Sequence, residues 1–62
     1  MNTEDKNKIN KQIRAYNGGN SFVISLKKQL KTNKYLLKEE LGKRKIKVLS
    51  DKQYEVVIGL LD

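Results

Sequence analysis

The chain has no cysteine, no histidine and no proline, and its aromatic residues are one phenylalanine and three tyrosines. Each absence excludes a class of chemistry. Without cysteine there is no disulfide to staple a small fold and no thiolate to hold a metal. Without histidine the commonest general base is gone, along with most zinc chemistry. No Ser–His or Cys–His nucleophile pair can form. No apolar run approaches the roughly 18 residues that span a bilayer. The opening Met1-Asn2-Thr3-Glu4-Asp5 lacks the basic-then-apolar order of a signal peptide. A cytoplasmic location without a membrane partner is therefore expected.

Carboxylates are scarce as well. Asp and Glu together number 7 against 14 Lys and Arg, for a formal net charge of +7. Glu39 and Glu40 are adjacent, and on a helix they would point about 100° apart, too far to share an acid–base site. The other carboxylates, Glu4, Asp5, Asp51, Glu55 and Asp62, are scattered. No enzyme, catalytic residue, metal site or cofactor is expected.

What is present is cationic. All but one of the basic residues lie between Lys6 and Lys47. A polyanion is the natural partner of such a chain, nucleic acid first. At 62 residues there is room for one domain. A domain of this size buries only about 60% of its unfolded surface. Oligomerisation is the cheapest remaining way to complete its core.

The patterning predicts a mainly β fold with one helix, in the order β-β-α-β-β. Residues 1–8 are expected to be a mobile N-terminal arm and residues 9–62 a single DNA-binding domain. A strand is read over residues 11–16, then a turn through Asn17-Gly18-Gly19-Asn20. A second strand follows, because Phe22, Ile24 and Leu26 alternate with Ser21, Val23 and Ser25. Since a strand is expected after Gly18-Gly19, these glycines do not read as a phosphate cradle, which needs a helix there. Lys27 to Leu41 is rich in helix formers, with Thr32-Asn33 as its weak point and Asn33 as a possible second cap. Gly42 is expected in a left-handed conformation at the helix end. Residues 45–49 and 54–60 alternate again, and Ser50-Asp51-Lys52-Gln53 reads as the turn of a second hairpin.

The candidate DNA-binding residues form two clusters. Lys8, Lys11 and Arg14 belong to the first hairpin, with the polar side chains of Asn17, Asn20 and Ser21. Lys43 and Arg44, with Lys45, follow the helix, and Lys27-Lys28 can join either cluster. Arginine forks onto a guanine edge or a phosphate, asparagine reads adenine, and lysine mainly anchors phosphate. Phe22 and Tyr54 lie on apolar faces and read as core. Of the tyrosines only Tyr16 suits base stacking, which makes a single-strand platform a weak reading.

Arg14, Gly19-Asn20-Ser21, Phe22-Val23-Ile24, Leu30, Leu41-Gly42, Ile46-Lys47-Val48 and Tyr54 to Ile58 occur in an order that resembles the SpoVT/AbrB-like family. That family includes AbrB-type transition regulators and MazE-type antitoxins. The resemblance covers about residues 11–61. It implies an intertwined homodimer of swapped β-hairpins, closed into one small barrel. It also implies a transcriptional regulator that binds double-stranded DNA through its N-terminal hairpins, with Arg14, Asn20 and Ser21 at the contact. Two alternatives stay open. One is a MazE-like antitoxin with a toxin partner, not favoured because the chain stops at Asp62. The other is a ribbon-helix-helix repressor with Ser21 to Leu26 as its ribbon.

Overall fold

The computed structural model describes residues 1–32 and 36–61. The order is α1 (Thr3–Arg14), α2 (Ser21–Thr32), β1 (Leu37–Leu41), β2 (Arg44–Val48) and α3 (Asp51–Leu61). β1 and β2 form one antiparallel two-stranded sheet, with Leu37 opposite Val48, Glu39 opposite Ile46 and Leu41 opposite Arg44. The mainly β swapped-hairpin barrel that the resemblance implies is therefore not the architecture. The described part is helical except for one hairpin, and its core closes within a single chain.

Each helix begins on a specific cap. The Asn2 side chain accepts from the Asp5 N–H at 2.8 Å and starts α1. Residues 3–8, expected in a mobile arm, are thus the first turns of α1. The strand expected over residues 11–16 is instead the end of that helix and the start of a loop. Asn20 caps α2, its Oδ1 accepting from the N–H groups of Phe22 and Val23. The expected Ser21–Leu26 strand becomes the first half of α2, which also removes the ribbon of a ribbon-helix-helix fold. Ser50 and Gln53 cap α3 reciprocally. Ser50 Oγ accepts from the Gln53 N–H, and Gln53 Oε1 accepts from the Ser50 N–H. That is a capping box. The residues expected to turn a second hairpin start a helix, and Tyr54 to Leu60 is no strand.

The expected Lys27–Leu41 helix divides at its weak point. α2 stops at Thr32, and residues 37–41 pair as a strand. The possible cap at Asn33 lies outside the described residues. Gly42 does take the left-handed conformation, at φ +64°, but in the two-residue turn of the β1–β2 hairpin and not at a helix end. Such hairpin turns need positive φ at the first central position, which glycine supplies without strain.

The core draws on every layer. Ile13 comes from α1, Val23, Leu26 and Leu30 from α2, Val48 and Leu49 from the end of the hairpin, and Tyr54 and Val57 from α3. On α2 the buried set follows the i, i+3, i+7 spacing of one helical face. Among the described residues no helix is long and apolar enough to cross a membrane.

Candidate nucleic-acid interface

α1 presents two different polar faces. Its inner face carries Lys6 and Asn10, both buried. Lys6 Nζ donates to Glu39 Oε1 on β1 and lies 3.1 Å from Asp51 Oδ1 at the start of α3. Thr3 Oγ1 donates to the other Glu39 oxygen at 2.8 Å. The Glu39 carboxylate holds the Lys6 ammonium above its ordinary pKa, against the opposing effect of burial, and Asp51 adds to the rise. Lys6 and then Thr3 hold Glu39 below the usual carboxylate range. One turn along, Asn10 Nδ2 donates to the Lys47 carbonyl at 2.9 Å, and its Oδ1 accepts from the Tyr54 hydroxyl at 2.6 Å. That hydroxyl in turn accepts the Leu49 N–H at 3.0 Å. Burial raises the Tyr54 pKa, partly offset by these hydrogen bonds. The network ties α1 to β1, β2 and α3 and satisfies every group it buries.

The neighbouring face is a cleft of about 410 Å³ between α1 and β2. Asn7, Lys11 and Arg14 line it from α1, and Arg44, Lys45 and Lys47 from β2. Among the described residues no carboxylate lines it. The spacing 7, 11, 14 puts the three α1 residues on one helical stripe beside the buried one. Arg14 also borders a second depression, shared with Lys27 and Lys31 of α2. Those two lysines, with Lys28 and Tyr16 to Gly18, border a third. The three hollows share linings and form one cationic surface from the hairpin across α1 to α2.

Four of the described carboxylates lie apart from this surface. Glu39 and Asp51 are engaged by Lys6, and Glu4 and Asp5 sit in the first turn of α1. Glu40 is the nearest exception, opposite Lys45 across the hairpin.

Three of the residues expected at the DNA contact, Lys11, Arg14 and Arg44, line this one cleft. Lys43 lies in the adjoining hairpin turn, and Asn17 borders the third hollow. Lys8 is exposed on α1 but lines no part of the cleft. Asn20 is committed to capping α2, so its side chain is not presented as a reader, and Ser21 is the exposed first residue of that helix. Sequence reasoning underrated Lys45 and Lys31 and left Lys27 and Lys28 unassigned. Lys27 and Lys31 already fell at i, i+4 in the segment expected as helix. What hid them was reading residues 11–16 as a strand, because their hollows are completed by Arg14 and by Tyr16 to Gly18, which follow from α1 and its loop.

A helix does follow Gly18-Gly19, so geometry alone does not exclude a phosphate cradle. Four of the N–H groups that follow the glycines are nevertheless taken. The Asn20 N–H donates to the Tyr16 hydroxyl at 3.0 Å, those of Phe22 and Val23 donate to the Asn20 side chain, and that of Ile24 donates to the Asn20 carbonyl. Gly18 lets the loop pass close to the Tyr16 ring: a Cβ there would clash with the Tyr16 hydroxyl end, which would have to move.

Comparisons with protein-family models, with curated proteins and with solved structures found no match to this chain.

Proposed function

We propose that this protein binds double-stranded DNA through the cationic surface centred on the α1–β2 cleft, and regulates transcription by doing so. The observation that carries the reading is charge segregation. Lys11 and Arg14 from one element meet Arg44 and Lys45 from another in a cleft that no carboxylate lines among the described residues. The folded chain keeps these cations together although their mutual repulsion costs stability, and a polyphosphate backbone relieves that repulsion.

A duplex suits the surface better than a single strand. Sequence-tolerant single-strand grooves stack bases on exposed aromatics. Here Tyr54 is buried, Phe22 is half-buried against the core, and Tyr16 is half-buried with its hydroxyl engaged by Asn20. No described aromatic is exposed.

The test is a mobility shift with mixed-sequence duplex DNA over a series of salt concentrations. Each neutralised phosphate contributes a slope of about −0.9 in log K against log salt. Lys11, Arg14, Arg44 and Lys45 together give a slope of about −3 to −4 on that scale. A flat salt response, or tighter binding to single strands than to duplex, would overturn the reading. Transcription in vitro from a bound promoter, with and without the protein, tests the regulatory half.

A further inference from the structure

We infer that α2 is the sequence-reading element, lying in the DNA major groove with Ser21, Ser25 and Lys28 toward the base edges. This rests on the duplex-binding reading above and adds to it a site, a groove and a division of labour.

The first observation is the make-up of α2. Its 12 residues, SFVISLKKQLKT, include no carboxylate. The exposed residues Ser21, Ser25, Lys28 and Thr32 are spaced i, i+4, i+7, i+11, which is one straight stripe. The stripe lies opposite the buried Val23, Leu26 and Leu30, so its direction is fixed by the core. Serine is a poorer helix former than alanine, and two serines on an exposed stripe do nothing for helix stability. What they supply is small hydroxyls that both donate and accept. The Thr32 hydroxyl donates back to the Gln29 carbonyl at 3.2 Å, which leaves Ser21, Ser25 and Lys28 as the readers.

The second observation is placement. Lys27 and Lys31, on the flank of the same helix, share a hollow with Arg14, and Arg14 shares the main cleft with Arg44 and Lys45. The polar stripe is thus bordered by the surface that would hold phosphates. Helix diameter and groove width also agree: a helix is about 10–12 Å across with its side chains, and the major groove about 12 Å wide. Phosphate contacts set register and carry no sequence information, whereas base-edge contacts specify. Arg14, Arg44 and Lys45 anchor, and Ser25 and Lys28 read. Lysine donates to the O6 and N7 of guanine, and serine bonds to any base edge.

The experiment uses the full chain and a randomised duplex library, with selected sequences compared for the wild type, Ser25→Ala and Lys28→Ala. Circular dichroism controls for folding. The expected result is a preferred motif for the wild type and a loss of preference on the order of tenfold at one or two positions in each variant. Ser25→Ala leaves the salt slope unchanged, because no charge is removed. Arg14→Ala instead weakens all sequences alike and lowers the slope by about one. A second readout needs no variant. Methylation of guanine N7, in the major groove, should block wild-type binding at the selected site. Binding that persists with unchanged sequence preference in both variants, or that is blind to N7 methylation, overturns the inference and leaves the duplex-binding reading standing. Absence of any salt-dependent duplex binding overturns both.

Discussion

Two sets of cations on α1 meet opposite fates. Lys6 is buried and is given two carboxylates, Glu39 and Asp51. Lys11 and Arg14, one to two turns further along, are exposed and share a cleft with Arg44 and Lys45. A buried charge must be paired, because the cost of leaving water is otherwise prohibitive. An exposed charge needs no partner to be tolerated, so its clustering with others of the same sign says something about what approaches from outside. The same helix thus ties the fold together on one face and carries, on the other, the cationic surface proposed to bind duplex DNA. The two faces should separate under mutation, the first in stability and the second in binding.

The largest effect is expected at Asn10. Asn10→Ala leaves the proton of the buried Tyr54 hydroxyl without its acceptor, at a cost of about 1–3 kcal/mol, and loses the hydrogen bond to the Lys47 carbonyl, worth about 1 kcal/mol more. A domain of this size is stable by only about 3–9 kcal/mol at the usual per-residue value. Thermal denaturation should show a fall in Tm of ten degrees or more on the order set by that ratio, or no folded state. A Tm within two degrees of wild type would mean that the network does not join α1 to the hairpin and α3.

Next comes the other face. Arg14→Ala with Arg44→Ala should leave thermal stability within about 0.5 kcal/mol of wild type, as surface changes usually do. Duplex affinity should fall at least tenfold, with the salt slope reduced by about two. Lost stability together with lost binding would show that the two faces are one structural unit after all.

The pairing of Lys6 also gives a pH dependence. The folded-state pKa of Glu39 lies below its ordinary 4.5, so the unfolded chain binds more protons in that window. The stabilisation is present above pH 4.5 and is lost as pH falls through the depressed value. Lys6 and Tyr54 lie above their ordinary 10.5 and 10.0, so their contributions are complete below those values and are lost as pH rises beyond them. Stability should therefore be flat near neutrality and decline on both sides. Glu39→Gln should lower the plateau and flatten the acid limb, as read by urea denaturation from pH 3 to 7. An unchanged acid limb would show that Glu39 is not what titrates.

The cationic balance was legible from composition, and Lys11 and Arg14 were grouped from their spacing, but Arg44 was read into a second cluster and its place in the same cleft was not foreseen. The fold was not legible, for reasons that individual residues make plain. Phe22, Ile24 and Leu26 alternate, yet Val23, Leu26 and Leu30 lie equally well on a helix, and a six-residue window does not separate the two periods. Asn20 decides the matter locally by capping α2. Ser50 and Gln53 likewise spell a capping box, although they also suit a turn. Leu37 to Leu41 is the converse case. Lys, Glu and Leu favour helix, and pairing with β2 across the Gly42 turn overrides them. The inner network was invisible because Lys6 reads as a solvated lysine until Glu39, 33 residues away, is brought beside it.

The smallest expected difference gives the finest test, because it compares two lysines on one helix. Lys8 and Lys11 are both exposed and sit one turn apart on α1. Composition treats them alike, and each removes one positive charge when changed to alanine. Only Lys11 lines the cleft. If net charge alone drew DNA, the two variants would lose affinity equally and their salt slopes would fall equally. If the cleft holds the backbone, Lys11→Ala should lower the slope by about one, whereas Lys8→Ala should leave it within error. Neither should shift stability by more than about 0.5 kcal/mol. Affinities measured in parallel at several salt concentrations decide between a diffuse cationic field and a shaped site. Equal slopes for the two variants would remove the cleft from the argument.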